Sequence, residues 1–220
     1  MNNQDYMSSI PWFYIWSDQI FDKVMQDTIK GFHLNSIQSE VSSLKERAEL
    51  IVKCLKETSE PQIVFSVSDL IVKPRFLSEV SKITDDMVFI AAVQNKKETV
   101  ATDVIYLKNT SDVIDFWSTL ASSETPNLEE SLSTFKGKHS KFSDKCVSSN
   151  TWDKRTEFNV LHLISSGFGK EFDFAEKVFT MAQHIELQPF MEYVPEDIIP
   201  FIYKIQELLF LTHKEMKKTS

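Results

Sequence analysis

Glycine is scarce in this chain of 220 residues: it occurs four times, at Gly31, Gly137, Gly167 and Gly169. Neither a G-x-G-x-x-G fingerprint nor a phosphate-binding P-loop can be assembled from those positions, which argues against the common dinucleotide and NTPase sites. Cysteine is scarcer still, with only Cys54 and Cys146. The pair forms no metal-ligand pattern, and Cys54 falls on an amphipathic segment as a core residue, so a reducing, cytoplasmic compartment is expected. No apolar run approaches the roughly 20 residues of a membrane span. The start, Met1-Asn2-Asn3-Gln4-Asp5, lacks the basic region of a secretory leader. Clustered basic residues are missing too. The formal net charge is -8 with acids spread along the chain, so no nucleic-acid partner is expected, because phosphate contacts need grouped Lys and Arg. The short basic tail of Lys214, Lys217 and Lys218 is read as a helix C-terminus that favours cations.

What is present is the material of a core. Hydrophobic residues make up 42% and charged residues 25%, proportions of a globular rather than a disordered chain. One stretch orders the rest: Gln62-Ile63-Val64-Phe65-Ser66-Val67-Ser68-Asp69-Leu70-Ile71-Val72. Its Val, Ile and Phe suit a buried strand, and that strand delivers Asp69 to its C-terminal end. In open α/β sheets this edge is where ligands bind.

Upstream, Pro11 to Trp16 reads as a first strand, followed by a helix with Ile20, Phe21, Val24, Met25 and Ile29 on one face and Gly31 as its stop. Phe32 to Ile37 is a weaker strand, and Val41 to Leu55 carries the spacing of a second helix. Downstream, a short helix is expected over Arg75 to Lys82, strands over Met87 to Val93 and Thr102 to Leu107, and a helix with Val113, Ile114, Phe116, Trp117 and Leu120 capped by Asn109 or Thr110. Phe116 and Trp117 are core by spacing. A short acidic helix opens at Pro126-Asn127, Lys136 to Lys154 reads as loop with one short strand around Cys146-Val147, and Phe158 to Ile164 returns to a strand pattern. Helices around Phe172 to Ile185 and from Ile198 to Leu209 close the chain. Strands alternating with helices argue an α/β sheet covered on both faces. The expectation is one domain over 1–220, with a core over 11–165 and a helical part over 166–220.

The order of these features resembles the small nucleotide-sugar glycosyltransferases of the GT-A fold. The resemblance runs from about Trp12 to Ile164 and rests on Tyr14-Ile15-Trp16-Ser17, on Ile63-Val64-Phe65-Ser66 reaching Asp69, and on Leu107-Lys108-Asn109-Thr110 followed by Val113-Ile114-Asp115-Phe116-Trp117. It implies a GT-A-like mixed sheet, a nucleotide-diphosphate sugar as donor, and a glycan or other hydroxyl acceptor. In the family the central strand ends in Asp-x-Asp, whose carboxylates hold Mn²⁺ or Mg²⁺ against the donor diphosphate; oxygen ligands suit such hard cations. Here the motif reads Val67-Ser68-Asp69, and valine cannot coordinate a metal. The family's Asn-x-Gly-Phe is matched by Ala101-Thr102-Asp103-Val104, and its Asp-Gln by Glu129-Glu130. The resemblance therefore assigns Asp69 and His162 to the metal, Arg47, Ser66, Asp69 and Lys170 to the nucleotide side, and Asp103, Glu129 and Glu130 to catalysis.

Most of these residues also have a plainer role. Asp69 is equally a turn or capping acid after a strand. His162, among Val160, Leu161, Leu163 and Ile164, is otherwise a buried, satisfied side chain. Asp103 can simply end a turn in the charged region from Lys96 to Thr102, and Arg47 can be a solvated helix residue instead of a phosphate donor. Glu129 and Glu130 near a helix start also answer its dipole. Two functions follow. The chain is a sugar transferase, with or without a metal, or a GT-A-like domain that no longer transfers and serves as a binding or interaction module. Val67 favours the second.

Overall fold

The computed structural model describes residues 10–29, 31–94, 97–143, 145–149, 158–163 and 167–216. The first nine residues, Ile164 with the following Ser165-Ser166, and Lys217 and Lys218 lie outside the described residues. β1 (Pro11–Trp16), α1 (Gln19–Thr28), β2 (His33–Gln38), α2 (Leu44–Glu57) and β3 (Gln62–Val67) form the front β-α-β-α-β unit that the apolar spacing announces. β4 (Leu70–Val72), α3 (Arg75–Val80), β5 (Met87–Gln94), β6 (Lys97–Lys108), α4 (Ser111–Ser122) and α5 (Leu128–Thr134) follow. The short strands β7 (His139–Lys141), β8 (Val147–Ser149) and β9 (Val160–His162) come next. The chain then runs through α6 (Lys170–Ala182), a 3-10 segment over Gln188–Tyr193, and α7 (Ile199–Met216).

The strands make two sheets. The larger has the order β2-β1-β3-β6-β5-β7, and the smaller is β4-β9-β8. β1 is parallel to both β2 and β3, while β6 runs antiparallel to β3, so the large sheet is mixed. Alternation along the strands sorts side chains to its two faces. Trp12, Tyr14, Val64, Val104 and Tyr106 enter one buried cluster, which also takes in Leu70 and Val160 of the small sheet. Phe13, Ile15, Ile63, Phe65, Ile105 and Leu107 enter the other, against α2, α4 and α5. A third cluster joins Ile71 and Leu161, on the far side of the small sheet, to α1, α6 and the segments that follow. The result is a layered α/β fold with helices on both faces of the large sheet.

Local chemistry explains where the helices begin. Ser43 and Glu46 form a capping box at the start of α2, Thr110 caps α4, and Asn127 caps α5. α1 ends one residue sooner than its apolar spacing suggests, with Ile29 already extended before Gly31 at φ 86°. The main departure from the expected elements is β6. It begins at Lys97 rather than Thr102, so Asp103 lies within a strand and does not end a turn. Between Phe89 and Ile90 of β5 the register shifts, with Phe89 facing Ile105 and Ile90 facing Ala101. Thr102, Asp103 and Val104 therefore form a bulge, a device that bends a strand and re-aims its side chains.

Candidate functional site

The C-terminal ends of the parallel strands β2, β1 and β3 open onto a cleft of about 450 Å³. Because α1 carries the chain from β1 to β2 on one side and α2 returns it to β3 on the other, this is the switch point where α/β sheets leave a crevice. The cleft is lined by the turn after β1, the loop from Ser39 to Ser42, the Val67-Ser68-Asp69 turn, and α6. Its charged lining is Asp18, Glu40 and Asp69 against Arg47, Lys170 and Lys177.

Two ion pairs organise it. Arg47 projects from α2, and its Nη1 donates to Thr102 Oγ1 and to Asp103 Oδ1, both at 2.8 Å. The β6 bulge supplies both acceptors. Across the cleft, Lys177 Nζ on α6 donates to Asp69 Oδ2 at 2.5 Å. The Asp69 backbone is fixed as well, its carbonyl accepting the Leu163 N–H at 2.9 Å. All four side chains of these pairs are partly buried, between 16% and 26% exposed. Lys170 is the first residue of α6. Asp173 Oδ1 accepts the N–H groups of Gly167 and Phe168, each at 2.9 Å, and Gly169 takes φ 127°, a conformation few other residues tolerate. The loop wall is tied down from behind: Glu46 accepts the backbone N–H of Ser42 at 2.9 Å, the Ser42 hydroxyl, and the Ser43 N–H. Those bonds hold its carboxyl below the usual range, the Ser42 backbone contributing most.

Of the residues singled out in the sequence, Arg47, Asp69 and Lys170 meet in this cleft, and Asp103 stands directly behind Arg47. Ser66 does not line it. That side chain is fully buried, and its hydroxyl accepts the Trp12 indole N–H at 2.8 Å. His162 is buried opposite Leu70 in the small sheet, on the face that Val160 and Leu70 turn toward the core. Glu129 and Glu130 occupy the first turn of α5 and border a separate cavity with Thr99, Val100 and Asn127. Sequence reasoning passed over Lys177. Its signal was available: it lies seven positions after Lys170, two helical turns along one face.

The side chains here do not fit the divalent ion that the resemblance implies. Val67 has no donor, Lys177 engages the Asp69 carboxylate, and His162 does not border the cleft. Among the described residues no group of three or more His, Cys, Asp and Glu converges as a metal centre.

No family model matches the chain, and no curated protein matches it in sequence. Solved structures do match in shape. A glycosyltransferase involved in glycosylation of the major capsid of PBCV-1 superposes with a TM-score of 0.53 at 10% identity, over 78% of this chain and 99% of that one. The fold is GT-A-like. The galactosyltransferase LgtC, solved with donor and acceptor sugar analogues, has a TM-score of 0.43 at 10% identity over 87% of this chain and 100% of its own. GlyE of Streptococcus pneumoniae TIGR4 has 0.45 at 12% identity, over 89% and 62%. At such identities the likeness is one of fold. No helix among the described residues is long and apolar enough to cross a membrane.

Proposed function

We propose that the chain binds a nucleotide-diphosphate sugar in this cleft and transfers the sugar to an acceptor hydroxyl. The observation that carries the reading is the convergence of Arg47, Lys170 and Lys177 at the C-terminal ends of the parallel strands of a GT-A-like sheet. A diphosphate needs cations and N–H donors, and guanidinium and ammonium groups supply both. In the transfer, the acceptor oxygen bonds to the anomeric carbon while the bond from that carbon to the diphosphate oxygen breaks. The electron pair leaves with the nucleotide, and the hydroxyl proton passes to a base or to water. Cations beside the diphosphate stabilise the charge that develops on it.

A second reading has its own support. Asp103 is engaged by Arg47, and Glu129 and Glu130 border another cavity, so none of the acids assigned to catalysis lines the cleft. That arrangement suits a module that binds a nucleotide sugar without transferring it.

Thermal unfolding with UDP, GDP and their common sugar conjugates tests the binding, since a ligand held only by the native state raises its stability. A nucleotide-specific rise is expected. No rise with any of them, from folded protein, would remove both readings. Release of free nucleotide from the stabilising conjugate, followed by chromatography with simple sugars as acceptors, then separates the two. Binding without release selects the module.

A further inference from the structure

The cleft has a repeated construction. Two cations from different helices each rest on a carboxylate delivered by the sheet: Arg47 of α2 on Asp103 of the β6 bulge, and Lys177 of α6 on Asp69 after β3. Both cations border the same cavity. Arg47 uses Nη1 for both of its bonds, so the remaining guanidinium N–H groups are directed by an anchor that takes no part in them. The ammonium of Lys177 has three N–H donors and places one on Asp69.

We propose, resting on the nucleotide-sugar reading above, that this cleft receives the diphosphate without a divalent metal, and that Lys177 supplies the charge a metal would otherwise bring. Asp69 then changes role. Instead of ligating an ion it positions Lys177, as Asp103 positions Arg47. Val67 fits this arrangement, because a second carboxylate beside Asp69 would add negative charge where the diphosphate lies. The other acids of the lining, Asp18 and Glu40, come from the turn after β1 and the loop after β2. Asp18 accepts the Ser17 hydroxyl at 2.8 Å.

The test is calorimetric titration of the folded protein with UDP and GDP, in EDTA and again in excess Mn²⁺. Affinity is expected to survive EDTA and to change less than about twofold with Mn²⁺, and to weaken with added salt as screening grows. Lys177→Met should weaken it about tenfold or more, the scale of one charge-assisted hydrogen bond, while Lys177→Arg retains most of it. Unfolding midpoints of both variants show that they fold, and the arginine variant separates loss of charge from loss of shape. Strict dependence on Mn²⁺, or unchanged affinity in Lys177→Met, would overturn the metal-free assignment and leave nucleotide binding standing. Failure of the unmodified protein to bind either nucleotide in both buffers would overturn the binding reading and this one with it.

Discussion

Trp12 donates its indole N–H to the Ser66 hydroxyl at 2.8 Å, joining the adjacent parallel strands β1 and β3 at a point where neither side chain is exposed. The bond satisfies a donor that water cannot reach. Removing the acceptor leaves that donor orphaned, which costs more than the bond itself contributes.

Ser66→Ala should therefore lower stability by about 1–3 kcal/mol, read as a fall in the urea midpoint with an unchanged slope. Nucleotide affinity of the folded fraction should stay as it was, because Ser66 is sealed away from the cleft. A selective loss of affinity at unaltered stability would return Ser66 to the binding site.

Alkaline pH probes the same core from another direction. Burial, with the Asp22 carboxylate that accepts the hydroxyl at 2.8 Å, pushes Tyr14 up to about 12. Burial, then the charge of Asp86, takes Tyr106 up to about 12 as well. Both phenols stay protonated when folded at pH values where unfolded tyrosine, near 10, already ionises. Unfolding then releases protons, so their contribution is complete below about pH 10 and drains away as the pH climbs toward 12. Phenolate absorbance should show two of the tyrosines titrating only near pH 12 or on denaturation, and Tyr14→Phe should reduce the steepness of the stability loss. Ordinary titration of every tyrosine near pH 10 in folded protein would contradict the burial of these two.

Thiol chemistry gives a third measurement. Cys54 and Cys146 are free and buried, and burial raises their thiols to about 12 and about 11. Since the thiolate is the nucleophile, Ellman's reagent should react negligibly with native protein at pH 8 and with both cysteines once urea unfolds it. Rapid reaction of the native protein would show that either α2 or the Cys146 turn opens readily.

Much of the sheet could be seen in the sequence, because its strands announce themselves by composition and period. β1, β3 and the helices between them follow from apolar spacing and from the polar break at Glu57 to Pro61. The placing of Asp69 at the sheet edge follows from the same pattern, and it is the residue around which the cleft is arranged. What composition could not show is the bulge. Nothing in Ala101-Thr102-Asp103-Val104 marks three residues that slip past β5, since register is decided by partners more than ten positions away in the chain. The sequence therefore offers Asp103 as a catalytic acid or a turn acid and gives no sign of its bond to Arg47. Lys177 was hidden for a related reason: a lysine on an amphipathic helix is unremarkable until the opposing strand-end acid is known. Ser66 illustrates the reverse error, in which a polar residue beside a site motif turns out to serve the core.

The two ion pairs that shape the cleft also say when it can come into being. They close chain separations of 56 and 108 positions, whereas the capping box of α2 and the helical turns around them form within a few residues. Contacts so distant in sequence carry the largest loop-closure cost and are slow to assemble. The walls of the cleft can thus exist before the cleft does. Its charges come into register only when β6 has docked on β3 and α6 has settled against the small sheet, so any anion binding measured there would itself be a signature of a completed fold.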